Sequence, residues 1–138
     1  MTVRRLSIGM FVLLAIEFAL GLVLALFVNL PMAASVVSVL TSTPVLDLHI
    51  LVALAIIGIS LRAVALARAE PGRTALVASL LVLGSALVAT ASGWAFAFDG
   101  QDPAASLVMT LGFVGALVGA IVLLVRPSRP APAPASAS

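Results

Sequence analysis

Residues 45–67 read VLDLHILVALAIIGISLRAVALA, an apolar run with Asp47 near its start and Arg62 near its end. At about 1.5 Å per residue, a helix over this run covers the ~30 Å of a bilayer's hydrocarbon core. Three further runs of the same kind flank it, at Leu6–Val28, Thr74–Ala95 and Ala104–Val125. Arg4 and Arg5 precede the first run, Arg62, Arg68 and Arg73 bracket the second connection, and Arg126 and Arg129 follow the last. The other two connections hold Asp47, Asp99 and Asp102 and no basic residue. Cations collect on the cytoplasmic side of membrane proteins. The pattern therefore predicts an all-α integral membrane protein, a four-helix up-down-up-down bundle with both termini in the cytoplasm.

Composition supports the same class. Hydrophobic residues make up 63% of the chain and charged ones 9%, against about 45–50% and 25% in soluble domains. A water-soluble fold of this length has no interior large enough for that apolar surface, whereas a bilayer removes the need to hide it. The pI of 11.2 does not signal nucleic-acid binding, because the arginines are spread over three segments as topology determinants. They also suit anionic lipid headgroups. Cysteine is absent, which excludes disulfides, thiolate metal sites and cysteine nucleophiles. Lysine is absent as well, and the Ala-, Val-, Leu- and Arg-rich composition suggests a GC-rich bacterial genome. The first run exceeds the about 7–15 residues of a signal-peptide core and contains Glu17, so it reads as a retained span. One domain is expected, residues 1–126, followed by a low-complexity tail, residues 127–138.

The connections have readable chemistry. In the first outer loop, Asn29 to Pro44, Pro31 can open a short interfacial helix over the Met32–Leu40 patch. Ala69-Glu70-Pro71-Gly72 is a tight turn that makes the second and third helices neighbours. Trp94, Phe96 and Phe98 read as an aromatic belt where the third helix leaves the bilayer. Asp102 and Pro103 supply a cap and a first-turn proline for the fourth helix. On that helix, Gly112, Gly115 and Gly119 form a small-residue face that lets backbones approach closely in lipid. Packing within the bundle is one use of this face; a homo-oligomer or another membrane protein is the other. Ser85, Ala89 and Ser92 make a comparable stripe on the third helix.

Few residues are out of place enough to carry chemistry. Glu17 falls near the bilayer midplane, where a carboxylate costs ~2.5 kcal/mol or more. It must be neutral, paired or wet. Gly21, one turn on, shares its face, and Arg62 is the expected partner, reaching up from the cytoplasmic end of the second helix. Glu17 reads either as a buried structural carboxyl or as a proton-binding site with Arg62. His49, the one histidine, stands a turn inside the outer end of the second helix. It is either bonded to loop backbone or a haem ligand or proton relay. Met109 is expected at nearly the same depth, and a methionine sulfur with an imidazole is a known axial haem pair.

The order of Glu17 and Gly21, then Asn29-Leu30-Pro31, an outer loop, and His49 opening the second helix resembles one four-helix half of the haem A synthase family. More loosely it is similar to cytochrome b561-type bundles. The resemblance covers about two-thirds of the chain by layout. It implies haem b as cofactor, with His49 at one ligand position. The chain departs from the family in reading His49-Ile50 where His-Arg is expected, and in having no histidine in the fourth helix. Met109 or a second subunit would then supply the other ligand. Small multidrug resistance transporters also resemble the chain in their single glutamate of helix one, matched by Glu17. Here, however, Ile16-Glu17 precedes Gly21 by four residues, the charge bias is strong, and mid-bilayer aromatics are missing from helix three.

Nothing in the sequence supports hydrolytic catalysis. The expectation is a small, non-enzymatic multi-pass protein of the plasma membrane that acts through partners or as an oligomer. Haem binding at His49 is its sharpest form, and proton-coupled transport of a small molecule centred on Glu17 is the alternative.

Overall fold

A computed structural model describes residues 3–28, 37, 43–98 and 102–126. Four helices long and apolar enough to cross a membrane are present, and no strand occurs among the described residues. They are α1 (Val3–Phe27), α2 (Pro44–Arg68), α3 (Arg73–Phe98) and α4 (Pro103–Val125). Each begins one to three residues before the apolar run that announced it; α2 and α3 also end one to three residues past theirs, α4 ends with its run and α1 one residue short. Hydropathy marks only the hydrocarbon-depth part of a helix, and backbone hydrogen bonding continues beyond it.

Local chemistry sets the boundaries. Thr43 caps α2, its Oγ1 accepting from the Leu46 N–H at 3.3 Å, with Pro44 at the first helical position. Asp102 caps α4 in the same way, accepting from the Ala105 N–H at 3.1 Å ahead of Pro103. Proline fits there because a first-turn N–H has no intrahelical acceptor. Between α2 and α3 the chain turns through Gly72, whose φ of 105° lies in a region that a side chain resists. The Arg126 guanidinium donates to both Glu70 oxygens, one bond measuring 3.0 Å. That fork ties the end of α4 to the α2–α3 turn.

The helices pack in a ring, α1 on α2, α2 on α3, α3 on α4 and α4 on α1. Met10, Leu14, Ile56, Val82, Ala116 and Leu123 are among its buried residues. Many large side chains, such as Leu26, Leu51, Leu54 and Leu111, point outward. In lipid this costs nothing, because hydrocarbon is as apolar as leucine. Two buried serines bond to their own helices: Ser7 Oγ donates to the Arg4 carbonyl at 2.8 Å and Ser60 Oγ to the Ile56 carbonyl at 2.7 Å.

The closest helix approach is explained by two glycines. A Cβ on Gly112 would fall 2.9 Å from both the Ala89 nitrogen and the Ser85 oxygen. A Cβ on Gly119 would fall 2.7 Å from Val82 Cγ2 and 2.9 Å from the Ala78 oxygen. The Gly112/Gly115/Gly119 face therefore packs on α3 of the same chain, the first of the two uses the sequence left open. The Asn29–Pro31 segment, the Met32–Leu40 patch, residues 99–101 and the tail from Pro127 lie outside the described residues.

Candidate functional site: the Glu17–His49 cavity

Glu17 and His49, weighed separately in the sequence, are in contact. Glu17 Oε1 lies 3.3 Å from His49 Nδ1, with the two side chains 13% and 20% exposed. The register between α1 and α2 brings this about. Gly21 lies against the imidazole, and a Cβ there would sit 3.5 Å from His49 Cε1, an ordinary packing distance. Glu17 is one turn earlier on the same face. The contact is near enough for an ion pair but poorly angled for a hydrogen bond. Glu17 Oε2 and His49 Nδ1 are thus buried without a hydrogen-bond partner among the described residues.

Arg62 does not take the partner role expected of it. It is exposed, thirteen residues along α2 from His49, and at 1.5 Å per residue that is about 20 Å from the carboxylate's actual neighbour. The depth of Glu17 suggested a cytoplasmic-side cation because sequence does not show which way a mid-membrane carboxyl leans.

The pair faces a cavity of about 380 Å³ lined by all four helices. Its walls come from the C-terminal halves of α1 and α3 and the N-terminal halves of α2 and α4. Glu17 and His49 are the two lining residues that titrate. Met109 lines the same cavity, its sulfur turned toward α3, where a Cβ on Gly93 would lie 3.6 Å away. All three, Glu17, His49 and Met109, therefore share one space, and Arg62 is apart from it.

Other lining residues carried no signal in the sequence. Thr90 on α3 and Ser106 on α4 add hydroxyls to the wall, and Thr110 Oγ1 is already bonded to the Ser106 carbonyl at 2.9 Å. Phe18 stacks on Phe113 across the α1–α4 seam, ring centroids 5.5 Å apart and planes at 30°. Trp94 and Phe96, expected to sit as a belt, line the cavity, and Trp94 stacks on Phe98 at 5.8 Å. Depth could be read from position in the run; which way each ring turned could not.

The arrangement can hold a proton on either a carboxyl or an imidazole in an apolar chamber, and present both to a ligand. No group of three or more His, Cys, Asp or Glu able to hold a metal ion occurs among the described residues. Comparison of the chain with protein-family models, curated proteins and solved structures finds no match.

Proposed function

We propose that this chain is a small integral protein of the plasma membrane that binds a largely apolar small molecule in the Glu17–His49 cavity and couples that binding to a proton. The observation that carries the reading is the contact of Glu17 with His49 at 3.3 Å on the wall of a four-helix cavity. A pocket with apolar walls and a few convergent polar groups is the general form of a small-molecule site. Ionisable residues inside a bilayer are expensive and mark ligand or proton paths. An up-down-up-down course with both termini cytoplasmic supports the reading. It is argued from the arginine pattern and from the matching helix halves around the cavity. The pair then lies in the outer half of the membrane.

The test uses Trp94, the single tryptophan, as a reporter on the cavity wall. Full-length protein in lipid nanodiscs is titrated with haemin, tetraphenylphosphonium and decylubiquinone while tryptophan fluorescence is followed. At least one probe is expected to quench saturably, with an affinity that changes with pH in the parent and not in the double variant Glu17→Gln/His49→Gln. If none quenches saturably, the binding reading is wrong.

A second reading is favoured by Met109 lining the same cavity as His49. The resemblance to haem A synthase implies haem b, and the residues present suit it in kind. His49 would hold iron through Nε2 while Nδ1 faces Glu17, as a carboxylate behind a ligating imidazole commonly orients it. Met109 would offer a second donor to the iron. Haem would supply one-electron transfer, while Phe18 and Phe113 keep water from the chamber. Oxidised and dithionite-reduced absorption spectra decide this: a Soret band lost in His49→Ala supports it, and a flat spectrum after reconstitution removes it.

A further inference from the structure

We infer that the ligand is a lipid-soluble quinone, its ring held in the cavity with one carbonyl oxygen toward Glu17 and His49 and the other toward the Thr90 and Ser106 hydroxyls. This rests on the ligand-binding reading above. Polar side chains reach the cavity from all four helices. Glu17 and His49 stand on α1 and α2, and Thr90 and Ser106 stand on α3 and α4. Flat rings line the same cavity, from Phe18, Trp94, Phe96 and Phe113. A planar ring with an acceptor oxygen at each end matches both features.

The unsatisfied groups point the same way. Glu17 Oε2 and His49 Nδ1 are buried without a hydrogen bond among the described residues, and a carbonyl oxygen accepts from whichever of the two side chains bears a proton. The hydroxyls donate to the second carbonyl. A quinone is neutral, so it enters without disturbing the charge balance of the pair. A lipophilic cation would have to draw Glu17 away from His49. Porphyrin carboxylates would meet no arginine among the lining residues.

Access fits a molecule that lives in the bilayer. Phe18 is 57% exposed on the outside of the bundle and also lines the cavity. Its stacking partner Phe113 lies across the α1–α4 seam. A cavity of about 380 Å³ houses a ring, and the isoprenoid tail leaves through this seam into lipid.

The test is the Trp94 titration with decylubiquinone beside an analogue in which both carbonyls are methyl ethers. Quenching by the quinone is expected to saturate, and to weaken roughly tenfold or more with the ether, with the double variant Glu17→Leu/His49→Leu and with Ser106→Ala, each loss being a hydrogen bond to a buried group. Circular dichroism checks folding, and Thr90→Val replaces any variant that does not fold. Equal binding of quinone and ether, or quenching that only follows partition into lipid, overturns the assignment. Saturable quenching by haemin or tetraphenylphosphonium but not by quinone overturns it too, while leaving the ligand-binding reading standing. Silence from all three probes overturns both.

Discussion

Glu17 and His49 belong to different helices and meet at 3.3 Å, each burying a polar atom that no other described residue satisfies. Groups in such contact are energetically coupled. Glu17→Gln and His49→Gln are each expected to change thermal stability in mild detergent, and the double variant to depart from their sum by about 0.5–3 kcal/mol. Additivity within measurement error would mean that the contact carries no energy.

Gly119 and Gly84 should answer oppositely to alanine. A Cβ on Gly119 meets Ala78 and Val82 backbone atoms at 2.9 and 3.2 Å, whereas one on Gly84 meets nothing within 4 Å. Overpacking at Gly119 is expected to cost about 1–3 kcal/mol. Gly84→Ala should be neutral or stabilising by up to about 1 kcal/mol through helix propensity. Melting temperatures of the two variants, read by circular dichroism, check the contrast.

The cysteine-free chain offers a clean cross-linking test of the α3–α4 contact. A Cβ on Gly115 would lie 3.3 Å from Ser85 Cβ, close to the ~3.5–4.5 Å of a disulfide. Ser85→Cys combined with Gly115→Cys should oxidise within one chain and run as a monomer on a non-reducing gel. A covalent dimer as the main product would instead put this face between two copies.

The Glu70–Arg126 fork is half-exposed, with side chains 34% and 22% accessible, so water and salt weaken it. Arg126→Ala is expected to lower stability by no more than about 1 kcal/mol, and the difference from the parent should shrink at high salt. Melting curves at low and high sodium chloride give the comparison. A large, salt-independent loss would mean that Arg126 acts through packing.

Much of the scaffold was legible in advance because its causes are local. The spans follow from runs of apolar residues, the α4 start from Asp102 and Pro103, and the α2–α3 turn from Pro71 and Gly72. The site was legible only in part. Glu17, His49 and Met109 stood out singly because a carboxyl, an imidazole and a thioether are unusual among leucines and valines. Their grouping, and the replacement of Arg62 by His49 beside Glu17, depend on how α1 slides and rotates against α2. A span of hydrophobic residues facing lipid on one side and protein on the other shows little periodicity from which that rotation can be read.

The sequence by itself determined that this chain makes four bilayer-length helices, because the need to satisfy every backbone N–H and C=O in hydrocarbon admits few alternatives. Tertiary structure decided which faces meet. Gly112 and Gly119 admit α3 to near backbone contact, and Gly21 lies against the His49 ring. Steric fit at a handful of small residues thereby placed one carboxyl, one imidazole and one thioether around a single cavity, an outcome of shape that composition and spacing do not contain.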